Sequence, residues 1–175
     1  MLRYGVIADD LTGACDVGVQ FKKYSMETVV LIHSAEIDNL RDIDCNILII
    51  DTESRNVDPE TAYRKVRESL RIMIEAGYRL IYKKIDSTMR GNVGAEINAV
   101  IEELGVEGVL LAPAFPKNGR VVIDGHLLVN GIPLEETEFA RDLLSPVRRS
   151  KIVELVRCQT DRKVALIGLR DVRAG

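Results

Sequence analysis

An α/β fold with a mostly parallel sheet flanked by helices, Rossmann-like and three-layered, follows from two features of the chain. Short β-branched runs alternate with helical periods, and the runs are apolar throughout, as strands buried on both faces are. A third feature, Asp124-Gly125 between two alternating apolar runs, adds a β-hairpin excursion near 121–130.

Tyr4 to Ala8, Thr28 to Ile32, Ile47 to Ile50, Leu80 to Ile85, Val109 to Ala112 and Val164 to Ile167 read as strands. Three helical stripes lie between them: Ala14, Val17, Gly18 and Phe21; then Ala62, Val66, Leu70, Met73 and Ile74; then Val93, Ile97, Val100, Ile101 and Leu104. Asp58 is placed to cap the second helix with Pro59 in its first turn, and Gly77 and Gly105 stop the second and third helices. Beyond Pro116 the parallel pattern gives way to the hairpin, a short helix from Glu135 to Leu144 broken by Ser145-Pro146, and another helix from Ser150 to Arg157. The sequence reaches Gly175 just past a strand with no evident closing helix, so the expectation is a domain over 1–175 that is incomplete at its C-terminus and part of a longer protein.

A chain of 175 residues, 46% hydrophobic and 29% charged, can bury one core. A net charge of -3 offers no basic field for nucleic acid or an anionic membrane, so neither is expected as a partner. Cys15, Cys45 and Cys158 are odd in number and lack a Cys-x-x-Cys pair, which fits reduced thiols and a cytoplasmic location better than a disulfide frame. His33 and His126 do not group with them at zinc-ligand spacing, and no metal ligand is assigned. The apolar start, Met1 to Ala8, is too short for a signal peptide.

In open α/β sheets the ligand crevice lies outside the carboxyl ends of the strands, and four such ends here are polar. The first exits through Asp9-Asp10-Leu11-Thr12-Gly13, where tandem carboxylates precede a helix start; one can serve as its cap, not both. The third exits through Asp51-Thr52-Glu53-Ser54-Arg55, whose guanidinium can hold a carboxylate or phosphate in bidentate fashion; a solvated turn with Arg55 paired to Glu53 or Asp58 is the competing reading. The fourth supplies Lys84, Asp86, Ser87 and Arg90, with strand alternation sending Lys83 to the opposite face from Lys84. The fifth exits through Ala112 to Arg120, a loop stiffened by Pro113 and Pro116 and ending in cations. Carboxylates for hydroxyl groups beside cations for an acid group imply a small polyhydroxylated acid as ligand. No phosphate loop, dinucleotide fingerprint or Ser-His-Asp arrangement is present. His126, beside the hairpin turn, reads as a surface residue. A metal-dependent phosphatase using Asp9, Asp10 and Asp86 remains a weaker alternative, since the dehalogenase pattern needs one residue between its two aspartates.

These segments, in this order and continued by Asn130 to Leu134 and Glu136 to Glu138, resemble the N-terminal sugar-binding domain of the four-carbon acid sugar kinases. The resemblance implies an ATP-dependent phosphotransferase acting on the terminal hydroxyl of threonate, erythronate or 3-oxotetronate. It also implies a nucleotide-binding domain outside this chain, in cis or as a separate polypeptide. ATP and magnesium are then expected for the full-length enzyme and neither for this chain alone, which by itself would be inactive; a stand-alone sugar-acid-binding or regulatory module is the alternative. Asp10 and Asp86 are the candidates for hydroxyl ligand and general base. Asp9, Ser54, Arg55, Lys84, Ser87, Arg90 and Arg120 are the substrate-binding candidates. A homodimer through open strand edges or the hairpin is a further expectation.

Overall fold

The computed structural model describes residues 3–32 and 40–174. β1 (Tyr4–Ala8), β2 (Thr28–Ile32), β3 (Ile47–Asp51) and β4 (Leu80–Lys84) form a parallel sheet in the order β2-β3-β1-β4. The period-two alternation of strands divides their side chains between two cores. Val6, Ala8, Ile47 and Ile49 pack with Ala14 and Val17 of α1 (Leu11–Lys22). Ile7, Leu48 and Ile50 face the other way, onto Val66, Leu70 and Met73 of α2 (Pro59–Glu75) and Ala99 and Val100 of α3 (Val93–Leu104). This is the expected three-layer arrangement, and each fully buried aliphatic side chain contributes about 1.5–3 kcal/mol to it.

The helix boundaries follow the sequence signals. Asp58 accepts the Thr61 N–H ahead of Pro59, and Gly105 ends α3 at a left-handed φ of 62°. In the hairpin, β5 (Arg120–Ile123) pairs antiparallel with β6 (His126–Val129). Asp124 and Gly125 both take positive φ, 49° and 80°, as a two-residue turn between right-twisted strands requires. β7 (Ile132–Pro133) adds a third short strand. A third core joins Leu127, Val129 and Leu134 of this lobe to Met89, Val93 and Val147, and to Ile152 and Val156 of α4 (Ile152–Arg157).

Several sequence expectations are corrected. Val109–Ala112 and Val164–Ile167 join no ladder among the described residues; Leu110 is 81% exposed and Ile167 61%. A β-branched run becomes a strand only where a neighbour can take its backbone groups. The helix expected over Glu135–Leu144 is two 3₁₀ turns, Leu134–Glu136 and Glu138–Arg141, because the Thr137 hydroxyl donates to the Leu134 carbonyl and Thr137 takes an extended backbone between them. A closing helix does exist, α5 (Leu169–Ala174), with Asp171 accepting the Gly168 N–H. β4 stops at Lys84, and α4 begins at Ile152 because Lys151 instead bridges to His126. His126 is exposed, as expected, while His33 lies outside the described residues. Among the described residues no helix is long and apolar enough to cross a membrane.

Candidate functional site

The parallel register pairs Ala8 with both Asp51 and Lys84, so the exits of β3, β1 and β4 lie side by side at one edge of the sheet. The chain continues in step beyond the ladder: Thr52 N–H donates to Ala8 O at 2.9 Å, and Ser54 and Arg55 N–H donate to Asp9 O at 3.1 and 3.2 Å. Arg55 is thereby aimed at both tandem aspartates. Its Nε donates to Asp9 Oδ2 at 2.8 Å, its Nη2 to Asp9 Oδ1 at 3.1 Å and its Nη1 to Asp10 Oδ2 at 2.5 Å. Asp10 is the α1 cap, its Oδ1 accepting the Gly13 N–H at 2.8 Å, so one carboxylate both caps and pairs. Burial works against the Arg55 charge, but the Asp9 hydrogen bonds and the surrounding carboxylates raise its pKa overall. The competing pairing with Glu53 or Asp58 is not what the side chain makes.

The β4 exit builds a matching cluster. Arg90 Nε and Nη2 reach Asp86 Oδ2 and Oδ1 at 2.7 and 3.1 Å, Thr88 donates its hydroxyl to Asp86 Oδ2, and Arg90 Nη1 contacts Asp142 Oδ2 at 3.1 Å. Burial would push the Asp86 carboxyl up; the Arg90 and Thr88 hydrogen bonds, with the charges of Arg90 and Arg55, overcome it and hold the pKa at about 2. Asp86 in turn raises the Arg90 pKa further.

Glycine and strained backbone bring the two loops together. A Cβ on Gly91, whose φ is 86°, would lie 3.0 Å from Arg55 O and 3.1 Å from Arg55 Cα. Asn92 Nδ2 then donates to Ser54 O at 2.9 Å and Val57 O at 2.8 Å. Glu53 and Met89 hold positive φ of 45° and 62°, one non-glycine residue in each loop. Beside Arg55 a groove of about 240 Å³ opens between Met89, Gly91, Leu144 and Ser145.

The other candidate residues separate by position. Lys84 is half-buried near the start of α1, its ammonium donating to Ile85 O at 2.7 Å, while Lys83 turns to the opposite face. Ser87 is half-buried next to Asp86. Arg120 stands over Phe139 at 5.7 Å to the ring centre and Arg90 over the same ring at 5.2 Å, so Phe139 connects the hairpin to the β4 loop. Ser54 is fully buried: its hydroxyl donates to Glu96 Oε1 and is 2.7 Å from Thr52 Oγ1. Glu96 Oε2 meets Lys83 Nζ at 2.8 Å, with the side chains only 2% and 9% exposed. Burial pushes the Glu96 carboxyl up against the pull of Lys83. Asp51, also fully buried, keeps one oxygen on the Glu53 N–H while Oδ2 has no hydrogen-bond partner, and burial raises its pKa.

Sequence reasoning missed Glu96, Thr88, Phe139 and Asp142 as parts of this site. Glu96 had a signal, since it sits three residues after Val93 and four before Val100 on an apolar helical stripe. Phe139 and Asp142 had none, because only the path of the 3₁₀ turns brings them to Arg90.

Residues 4–175 match the model of a sugar-binding N-terminal domain. A D-erythronate kinase from Heliobacterium modesticaldum is 40% identical over 173 residues, 97% of this chain and 39% of that protein. A D-threonate kinase from Salmonella typhimurium is 41% identical over 171 residues, 97% of this chain and 40% of that protein. The chain belongs to the four-carbon acid sugar kinase family. Among solved structures similar to this family member, a domain of unknown function from Bordetella bronchiseptica, solved with bound citrate as a domain-swapped dimer, superposes with a TM-score of 0.82 and 36% identity. That match covers 88% of this chain and 39% of the other. The chain spans about 40% of the length of the curated relatives it matches.

Proposed function

We propose that this chain is the substrate-binding part of an ATP-dependent kinase that phosphorylates a terminal hydroxyl of a four-carbon sugar acid. The observation that carries the reading is the pair of aspartate–arginine clusters joined at adjacent strand ends, Asp9–Arg55–Asp10 and Asp86–Arg90–Asp142. Phosphoryl transfer needs an oriented hydroxyl, a group to take its proton and cations around the transferred charge. Asp10 and Asp86 are the proposed hydroxyl ligands. A carboxyl held at about 2 is a weak proton acceptor at neutral pH, so Asp86 serves better as a fixed hydrogen-bond acceptor than as the general base.

Arg55 and Arg90 are already engaged by carboxylates, whereas Lys84 enters no ion pair among the described residues. Lys84 is therefore the proposed anchor for the substrate carboxylate. Arg55, Arg90 and Arg120 shape the crevice and supply positive charge, Asp9 fixes Arg55, Ser87 offers a hydroxyl, and Ser54 acts by holding the Arg55 loop. ATP and magnesium belong to the part of the relatives that this chain does not span, and no residue here is assigned to them. Arginine contacts at Asp9, Asp10 and Asp86 disfavour the metal-dependent phosphatase.

Calorimetric titration of the chain with D-threonate, L-threonate, D-erythronate and 3-oxotetronate, with ATP-magnesium as a separate titrant, tests the reading. Heat from one acid, lost in Lys84→Met with an unchanged melting temperature, is the expected result. Heat from ATP-magnesium and none from any acid overturns it.

A further inference from the structure

Thr52, Ser54 and Glu96 form a buried polar chain behind the crevice. Its hydrogens follow from counting the protons available to each contact. Thr52 Oγ1 lies 2.8 Å from Ala8 O, which can only accept, so the one Thr52 hydroxyl proton goes there. Ser54 Oγ has one proton and two oxygen neighbours, Thr52 Oγ1 at 2.7 Å and Glu96 Oε1. With Glu96 as a carboxylate, Ser54 donates to it, and the 2.7 Å contact with Thr52 holds no proton between two buried oxygens. Among the described residues no N–H reaches either hydroxyl to supply one. A proton on Glu96 Oε1 completes the count: Glu96 donates to Ser54, Ser54 to Thr52 and Thr52 to Ala8 O. Oε2 still accepts from Lys83 Nζ at 2.8 Å.

The groups around Glu96 divide. Lys83 on β4 and the start of α3 favour the anion; burial and Asp9 at the β1 exit favour the acid, and the balance raises the carboxyl above its ordinary 4.5. From α2, Lys65 Nζ donates to Thr52 O at 3.0 Å. We propose that Glu96 is a positioning residue, standing as the neutral acid at the head of this chain and bracing both arginine loops at once. Through Ser54 it holds the β3 exit, where the Ser54 and Arg55 amides lie on Asp9 O. Through Lys83, whose ammonium also donates to Lys84 O at 2.8 Å, it holds the last residue of β4 ahead of Asp86 and Arg90. A neutral acid suits this place because it donates and accepts together without adding negative charge near Asp9. The consequence for acid binding rests on the proposed function; the protonation state does not.

Carbon-13 NMR of the Glu96 Cδ in the 175-residue chain reads the proton without any ligand. The signal, identified by its loss in Glu96→Gln, is expected at the protonated position at neutral pH. Glu96→Gln can donate its amide to Ser54 and accept from Lys83, so its melting temperature should stay within about 2 °C of the original and its acid affinity within about twofold. Lys83→Met with Glu96→Leu leaves no buried charge but cuts both braces, and should weaken acid binding at least about tenfold in calorimetry. In the same double variant the Arg55 and Arg90 Nε–H signals, resolved in the original chain, should broaden into exchange with water. A carboxylate signal at neutral pH, or Glu96→Gln as unstable as Glu96→Ala, overturns the neutral acid. Unchanged Nε–H signals in the double variant, or acid binding equal to that of the original chain, overturn the bracing. If the original chain binds none of the four acids, the proposed chemistry fails, while the carbon and Nε–H signals still decide the role of Glu96.

Discussion

The loops leaving β3 and β4 carry the same device by different means. Each presents an arginine in bidentate contact with a carboxylate, and each contains one non-glycine residue at positive φ. Arg55 is held from within the parallel sheet: its carboxylates belong to the β1 exit, and its loop is tied from behind through Ser54 to Glu96 and Lys83. Arg90 pairs locally with Asp86, then leans out of the sheet onto Asp142 and Phe139, which belong to the hairpin lobe. One cation is thus fixed by strand register and the other by the docking of a second lobe. A ligand touching both would sense the seating of that lobe on the sheet.

The largest expected effect comes from the support behind Arg55. Glu96→Ala leaves the Lys83 ammonium buried without its partner and should cost about 3–5 kcal/mol in denaturant unfolding, whereas Lys83→Met with Glu96→Leu should recover most of it. If the single substitution costs no more than a surface change, the β3 loop is not held from behind. Next, Arg55→Ala strips Asp9 of its only charged partner in the described site and should weaken acid binding by about 2–3 kcal/mol, or roughly 30- to 150-fold by calorimetry.

Acid stability distinguishes the β4 loop. Asp86 sits at about 2 in the folded chain against an ordinary 3.8, so as pH falls the unfolded chain takes up the proton first. The stability it contributes is complete above about pH 4 and is lost between about 4 and 2; it amounts to about 2 kcal/mol. Asp86→Asn should flatten urea-unfolding stability across that window, and an unchanged profile would mean that the Arg90 contact does not survive in solution. The smallest effect is expected at the lobe contact. Phe139→Leu removes the ring shared by Arg90 and Arg120 and should weaken acid binding about fivefold, near 1 kcal/mol, without altering the parallel core. A larger loss than that of Arg55→Ala would reverse the ranking of the two loops.

How much was legible depends on whether the signal was local. The four parallel strands, α1 to α3, their caps and the hairpin turn follow from periodicity, Asp58-Pro59 and Asp124-Gly125, because those rules act within a few residues. The polar strand ends that carry Asp9, Asp10, Arg55, Asp86 and Arg90 were equally visible, since a parallel sheet collects such ends at one edge. Val109–Ala112 and Val164–Ile167 looked the same as the true strands in composition, and what separates them is that neither finds a ladder partner among the described residues.

What the sequence alone determined is the class of the fold, the family and the set of side chains gathered at the strand ends. The tertiary structure decided which of them are spoken for. It gave both tandem aspartates to Arg55, buried Ser54 against Glu96, left Lys84 outside every ion pair among the described residues, and brought Phe139 and Asp142 to Arg90 across a lobe boundary. The physical reason is range. Propensity, capping and alternation act over a few positions along the chain, whereas ion pairs and burial depend on which distant segments the packing of two cores places within 3 to 4 Å.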